Sequence, residues 1–281
     1  THVVRGDEWL PSLPFHIQLF QALGFKLPKY VHIGPLMKMD GSSKRKLSKR
    51  KDPELALTFY AQEGYPVPAV LEYLMTLLNS NFEEWRRANP DLPMNDFQFT
   101  TKKMSGSGAL FDIEKLRWMN AEYMKKLTPD EFFEKAEPWL RKAISNPAVN
   151  LHQVAALVQS RCEILSDLPE RVDFIDKLPD YEPELYIHKK SKTNLENSLE
   201  TLTVLLPVLQ AQDDWSNEAL YETLVAVAAE RGVKNSIILW PLRVAVSGKA
   251  STPGGATELC ALLGKEESLR RIEAGIALLR K

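Results

Sequence analysis

The chain has 281 residues, 44% hydrophobic and 26% charged, with a formal net charge of −1 at pH 7. That length exceeds what a single core organises efficiently, so two or three domains are expected. The near-neutral total excludes a wholesale polycation, and no apolar run is long enough to span a bilayer, so no membrane partner is expected. The charge is unevenly divided: residues 1–126 hold 18 Lys/Arg against 14 Asp/Glu, and residues 127–281 hold 18 against 23, which concentrates basic surface in the first part. Cys162 and Cys260 are far apart, and the histidines (His2, His16, His32, His152, His188) are scattered without ligand spacing. Buried, reduced thiols and no protein-built metal site are expected. The first residues, "THVVRGDEW", carry neither an initiator Met nor a secretory signal, so the chain is expected to begin within a longer, cytoplasmic protein.

In chain order, "EWLPSLPFHIQLFQALGF" has a helical apolar rhythm that Gly24 is placed to close, and "KYVHI" supplies a short strand over Tyr30–Ile33 ending at Gly34-Pro35. The basic run "GSSKRKLSKRKD" follows. Helix, strand, then loop fits the tail of an open parallel sheet, whose strand ends are where such sheets place ligands. "DPELALTFYAQEG" and "PVPAVLEYLMTLLNS" read as helices, the first with Pro53 in its first turn and Gly64 past its end. From Glu83 to Gly108 the sequence is polar and irregular, an extended insertion that includes a flexible "SGSG". "FDIEKLRWMNAEYMKKL" restores the helical period, with Trp118 and Met119 expected in the core. "TPDEFFEKAEPWLRKAI" opens with Thr128 and Glu131 in capping-box spacing. Six further helical patterns run to the C-terminus, with no strand expected after Ile33.

Six of the eight positions from Lys44 to Lys51 are Lys or Arg. A solvated surface run, a nuclear-import signal and a phosphate-binding loop all fit such a composition. Position favours the last, because the run lies between a strand and a capped helix beside the turn-forming Asp40-Gly41. In phosphoryl or nucleotidyl transfer, cations brought by a mobile loop stabilise charge that spreads over the transferred group's oxygens. Lys46 and Lys49 are placed to supply them, Ser48 offers a hydroxyl, Leu47 an apolar anchor, and Arg50 and Lys51 remain for a bulkier anion.

"KLSKR" resembles the second signature loop of class I aminoacyl-tRNA synthetases in its glutamyl-tRNA synthetase form. "HVVRGDEWLPSLPFHIQLFQALGF", "FDIEKLRWMNAEYMKKL" and "PLRVAVSGKASTPGGATELCALLGKE" resemble the same family in the same order. The resemblance implies a mostly α chain: a C-terminal remnant of a Rossmann-like α/β catalytic domain over residues 1–52, a stem-contact region over 53–126, and an all-helical anticodon-binding region over 127–281, with a subdivision near 210. It implies ATP with Mg²⁺ as substrate, glutamate, and tRNA(Glu) as partner, tRNA(Gln) being left open, and a monomer. Lys49, assisted by Lys46 and Ser48, would contact the ATP phosphates, and Arg5 in "HVVRGDEW" would take a carboxylate of glutamate, a salt bridge to Asp7 or Glu8 being the alternative. Lys102, Lys103, Lys115, Arg117 and Arg243, with Lys249, are the candidate tRNA contacts.

"HIGP" at His32–Pro35 looks like the family's first signature, but it ends in a strand that leads straight to the basic loop, so His32 is expected in packing or at the surface. The true first signature would lie upstream of Thr1, which implies a chain inactive alone. The alternative reading is a stand-alone tRNA-binding or regulatory module. A glutaminyl enzyme is disfavoured, because its anticodon module is built of β-barrels.

Overall fold

The computed structural model describes residues 1–104 and 106–281, so Ser105 of the "SGSG" stretch lies outside the described residues. The chain divides into two compact units, Thr1–Tyr123 and Met124–Lys281.

The first unit opens on a strand that the sequence reading passed over. β1 (His2–Gly6) pairs in parallel with β2 (Lys29–Ile33), which sets Arg5 opposite His32 and Gly6 opposite Ile33. The crossover is a 3-10 turn over Asp7–Ser12 followed by α1 (Leu13–Ala22), later than the expected start at Glu8. No residue of α1 is buried, and Phe15 is 73% exposed.

A second strand pair corrects the expectation of no strand beyond Ile33. β3 (Met37–Asp40) and β4 (Ser43–Lys46) form an antiparallel hairpin, and Gly41 at its tip takes φ +60°, a left-handed angle that costs glycine little. Lys44, Arg45 and Lys46 are therefore strand residues, and only Leu47–Lys51 form the loop. Local propensity is weak in this stretch, and distant groups anchor it. The Met37 N–H donates to Ala109 O at 2.8 Å, and Phe111 N–H to Met37 O at 2.7 Å. Behind the hairpin, a Cβ on Gly34 would lie 2.6 Å from the Gly108 backbone nitrogen, so this close approach of two backbones requires glycine.

α2 (Leu57–Gln62) starts later than expected, because Pro53 opens a separate 3-10 turn over Pro53–Leu55, and α3 (Val67–Leu78) follows as expected. α4 (Phe82–Ala88) corrects the irregular reading of 83–108: Phe82 is fully buried, with the rings of Trp85 and Phe97 at 5.8 and 5.1 Å, and this aromatic cluster holds a turn of helix that polar neighbours obscure. On α5 (Ile113–Lys126) the buried side is Leu116 and Asn120, four residues apart. Trp118 lies two residues from Leu116, on the opposite face, and is 63% exposed, which overturns its expected place in the core.

In the second unit, α6 (Pro129–Leu140) starts from the expected capping box, Glu131 N–H donating to Thr128 Oγ1 and Thr128 N–H to the Glu131 carboxylate. α7 (Leu151–Gln159), α8 (Leu168–Val172), α9 (Leu195–Ala211), α10 (Asn217–Glu230), α11 (Asn235–Ser247), α12 (Ala256–Leu263) and α13 (Lys265–Leu279) complete it, with no strand among the described residues. The mostly α class with a short α/β segment thus holds. α9, α11 and α13 pack together around Leu202, Leu205, Leu242 and Ile272. The fully buried Arg271 donates to Phe174 O and Val246 O at 2.7 Å and to Ile175 O at 3.0 Å, satisfying carbonyls that water cannot reach. Cys162 and Cys260 are both buried, and burial pushes each thiol up to about 12.

Candidate functional site

Gly6 and Ile33 end the two parallel strands, and both line an open, largely apolar cavity of about 640 Å³. Lys46 and Lys49 line the same cavity, together with Glu8, Leu36 and Leu47. Leu47 is the expected anchor: it is 4% exposed and its N–H donates to Leu36 O at 2.9 Å. With that side chain pinned, Lys46 and Lys49 stay at the surface. Lys49 is exposed, and Lys46 Nζ rests 3.7 Å from Glu8 Oε2. A backbone hydrogen bond, with Lys46 adding to it, holds the Glu8 carboxyl below its ordinary range.

Not every cation in the basic run is available. The Arg45 guanidinium forks onto Asp52, at 2.6 and 2.7 Å, and donates to Asp40 at 2.9 Å. Asp52 is only 2% exposed and also accepts the Ser48 N–H at 2.8 Å. The Arg45 bonds, then the Ser48 bond, hold the Asp52 carboxyl far below the carboxylate range, and Asp52 in turn raises Arg45. Lys38 is paired with the buried Glu54. The Ser48 hydroxyl accepts from Arg50 N–H at 3.4 Å, and Ser48 O accepts from Asp52 N–H at 2.8 Å. A buried carboxylate therefore knots the loop's base to the hairpin, while Lys46, Lys49, Arg50 and Lys51 stay at the surface.

The structure does not bring Arg5 to this cavity. Arg5 lies one residue before Gly6 and lines a separate cavity of about 170 Å³, its guanidinium 4.8 Å from the Trp9 ring and His32 nearby. Among the described residues it makes no ion pair with Asp7 or Glu8. Lys102 and Lys103 are exposed on a 3-10 turn capped by Thr100. On α5, Lys115 pairs with Glu83 at 3.0 Å, and Arg117 is half-buried.

The second unit has a polar cavity of about 850 Å³ between Arg161, Arg171 and the stretch Lys249–Pro253, with Asp167 and Glu170 at its edge. Arg161 donates to Thr252 O and Pro253 O at 2.8 and 2.9 Å, and Arg243 to Ala250 O at 2.8 Å. Arg243 also lies 4.3 Å from the Trp240 ring, and its buried Nε has no hydrogen-bond partner among the described residues. Burial, then the neighbouring Arg161, depresses the Arg243 pKa. Lys249 is tied to Asp173 at 2.6 Å. Arg161 and Arg171 went unremarked in the sequence, since each stands alone on a helical pattern more than seventy residues from Arg243, and only the fold gathers them.

The sequence pattern of an anticodon binding domain matches residues 131–276, and that of the class I tRNA synthetase (E and Q) catalytic domain matches residues 1–118. The glutamate–tRNA ligase of Clostridium tetani is 41% identical over 284 residues, and that of Clostridium acetobutylicum 44% identical over 283. Both alignments take in the whole of this chain but 56% and 57% of the relatives, so the chain spans little more than half the length of the curated relatives it matches. A crystal structure of a glutamate tRNA ligase from Elizabethkingia meningosepticum, in complex with its amino acid, superposes with a TM-score of 0.79 over 99% of this chain and 57% of that one. At 24% identity that likeness speaks for the fold.

Proposed function

The chain belongs to the class I tRNA synthetases of the glutamate and glutamine group, and we propose that it is the portion of a glutamate–tRNA ligase bearing the lysine loop of the ATP site and the tRNA-binding helices. One observation carries the reading: Lys46 and Lys49 converge with Gly6 and Ile33 on a cavity at the carboxyl ends of two parallel strands, the place where open α/β sheets bind their ligands.

In the reaction so proposed, a carboxylate oxygen of glutamate attacks the α-phosphorus of Mg-ATP, and the bond to the β-phosphate oxygen breaks, leaving glutamyl-adenylate and pyrophosphate. The 3′-terminal adenosine of the tRNA then displaces AMP from the glutamyl carbonyl. Lys46 and Lys49 act in the first step, where charge grows on the departing pyrophosphate. Lys46 leaves Glu8 for the phosphates, Ser48 offers its hydroxyl to the same nucleotide, and the Arg45–Asp52 knot keeps the loop's base from drifting. Arg5, which lines the separate cavity beside Trp9, would turn from that ring to take a carboxylate of glutamate. The RNA is met by Lys102, Lys103, Lys115 and Arg117, with Lys115 exchanging Glu83 for a phosphate, and by Arg243 together with Arg161 in the second unit.

Glutamate is favoured over glutamine by the wholly helical second unit and by the names of the relatives. The unburied α1 and the exposed Phe15, Leu19, Leu23 and Phe25 favour a chain that works as part of a larger catalytic domain over a self-sufficient module. The chain alone is therefore expected to bind tRNA(Glu) without aminoacylating it, in the cytoplasm where translation runs. Filter binding with glutamate and glutamine tRNA transcripts tests this. Tighter retention of the glutamate transcript supports the reading, whereas retention of neither, or pyrophosphate exchange into ATP by the chain alone, contradicts it.

A further inference from the structure

In the second unit a short 3-10 turn, Pro183–Tyr186, leads into a tight hairpin turn, Lys189–Lys192, that none of the roles above uses. Its neck is closed by reciprocal backbone bonds between His188 and Thr193, each 3.2 Å. Inside it, the Thr193 hydroxyl donates to Tyr186 O at 2.7 Å, Ser191 Oγ bonds His188 Nδ1 at 2.8 Å, and Asn197 donates to Lys192 O at 3.1 Å. Ser191 and Thr193 are buried, whereas Lys189, Lys190 and Lys192 are all exposed, and none of the three pairs with a carboxylate among the described residues.

Two features set this turn apart from an ordinary solvated surface. Lys192 is the one non-glycine position with a left-handed backbone among the described residues, φ +58°, an angle that persists only where surrounding bonds over-determine it. The backbone of the turn is thus held by hydrogen bonds within the fold. It also carries three unpaired cations within four residues on a segment, 127–281, whose acidic groups outnumber its basic ones by 23 to 18. Elsewhere on this unit exposed cations such as Lys177 and Lys234 stand singly along the chain.

A chain of contacts also links the turn to the polar cavity. Ser236, at the start of α11, donates to Ser191 O at 3.5 Å. His188 stacks on Trp240 with ring centroids 3.6 Å apart and planes 4° from parallel, Arg243 lies on Trp240 at 4.3 Å, and Arg243 bonds the cavity wall at Ala250 O. Ser236 to Arg243 is seven residues, about 10 Å of helix. Both faces of Trp240 lie against protein groups, so the line offers positive charge rather than an open ring for stacking.

We propose that the Lys189–Lys192 turn is a phosphate-binding site that holds the sugar-phosphate backbone of an RNA strand whose neighbouring bases enter the cavity between Arg161, Arg171 and Lys249–Pro253. This rests on the tRNA-binding reading of the second unit, and it assigns that unit a backbone anchor outside that cavity. Phosphate contacts of this kind fix register and release counterions, so they show themselves in the salt dependence of binding.

The test is filter binding of a tRNA(Glu) transcript between 50 and 200 mM salt by the full chain, by K189A/K190A/K192A, by the length-preserving K189Q/K190Q/K192Q, and by K189R/K190R/K192R, each checked for an unchanged thermal melt. The alanine and glutamine variants are expected to flatten the log–log salt slope by about two, at roughly 0.7 per lost contact, and to bind about tenfold more weakly at the low-salt end. The arginine variant keeps the slope. A slope unchanged in a folded alanine or glutamine variant overturns the proposal, as does loss of binding to a polyglutamate peptide with tRNA binding intact, which would mark a site for an acidic protein. Failure of the unsubstituted chain to retain tRNA overturns the tRNA reading itself, and this inference with it.

Discussion

At the scale of single residues, the candidate site depends on a division of labour among like charges. Lys46 and Lys49 stay exposed at the cavity where Arg45 does not: its guanidinium is consumed by Asp40 and by the buried Asp52. Asp52 also accepts the Ser48 N–H, so one carboxylate fixes both the strand that delivers Lys46 and the loop that delivers Lys49. Asp52→Asn keeps the size but gives up the ionic fork. The Ser48 amide should then exchange with solvent roughly tenfold faster, the scale expected when a charge-assisted bond is lost, as read by hydrogen exchange at a pH well above the carboxylate range. Unchanged protection at Ser48 would show that the loop is held by Leu47 alone.

At the scale of elements, α13 shows how an acidic group stabilises a helix that buries an arginine. Glu267, in its first turn, is paired with Arg270 and Arg271, and these, Arg270 foremost, hold its carboxyl down at about 2. A carboxyl depressed on folding contributes stability that is fully present above its unfolded pKa, near 4.3, and is lost as pH falls through the folded value. The melting temperature should therefore drop between about pH 4.5 and pH 2, and Glu267→Gln should lower it at pH 7 while flattening that acid limb; identical acid limbs would contradict the assignment. Much at this scale was legible in the sequence. The capping box at Thr128, the closing glycines and the apolar period gave the helices, because their signals are local. β1 was missed because Val3 and Val4 are its only β-forming residues, between His2 and Arg5, a thinner signal than the Tyr30–Ile33 run. The hairpin was missed because Met37, Lys38, Lys44 and Arg45 do not look like a buried pair of strands, and what secures them is Ala109, Phe111 and Asp52, far along the chain. The same locality explains why Lys46 and Lys49 could be picked out from one loop, whereas Arg161 and Arg171 could not, and why Trp118, apolar in type, was assigned to the wrong face.

At the scale of the whole molecule, the two units differ in how well they bury what they carry. In the second, a fully buried arginine and closely packed α9, α11 and α13 make a self-contained helical body. In the first, a two-stranded parallel sheet and a helix without a buried residue leave Val4, Leu10, Phe15, Leu19 and Phe25 in solvent. These facts bear on one proposed role, that Lys46 and Lys49 neutralise the phosphates of ATP at the carboxyl edge of that sheet. Its most direct measurement is ATP–pyrophosphate exchange driven by glutamate in the full-length ligase carrying Lys46→Ala or Lys49→Ala. Loss of preorganised electrostatic stabilisation predicts a fall in kcat of about 10²-fold or more with the KM for glutamate little moved. Exchange within twofold of the unsubstituted enzyme in both variants would contradict the account.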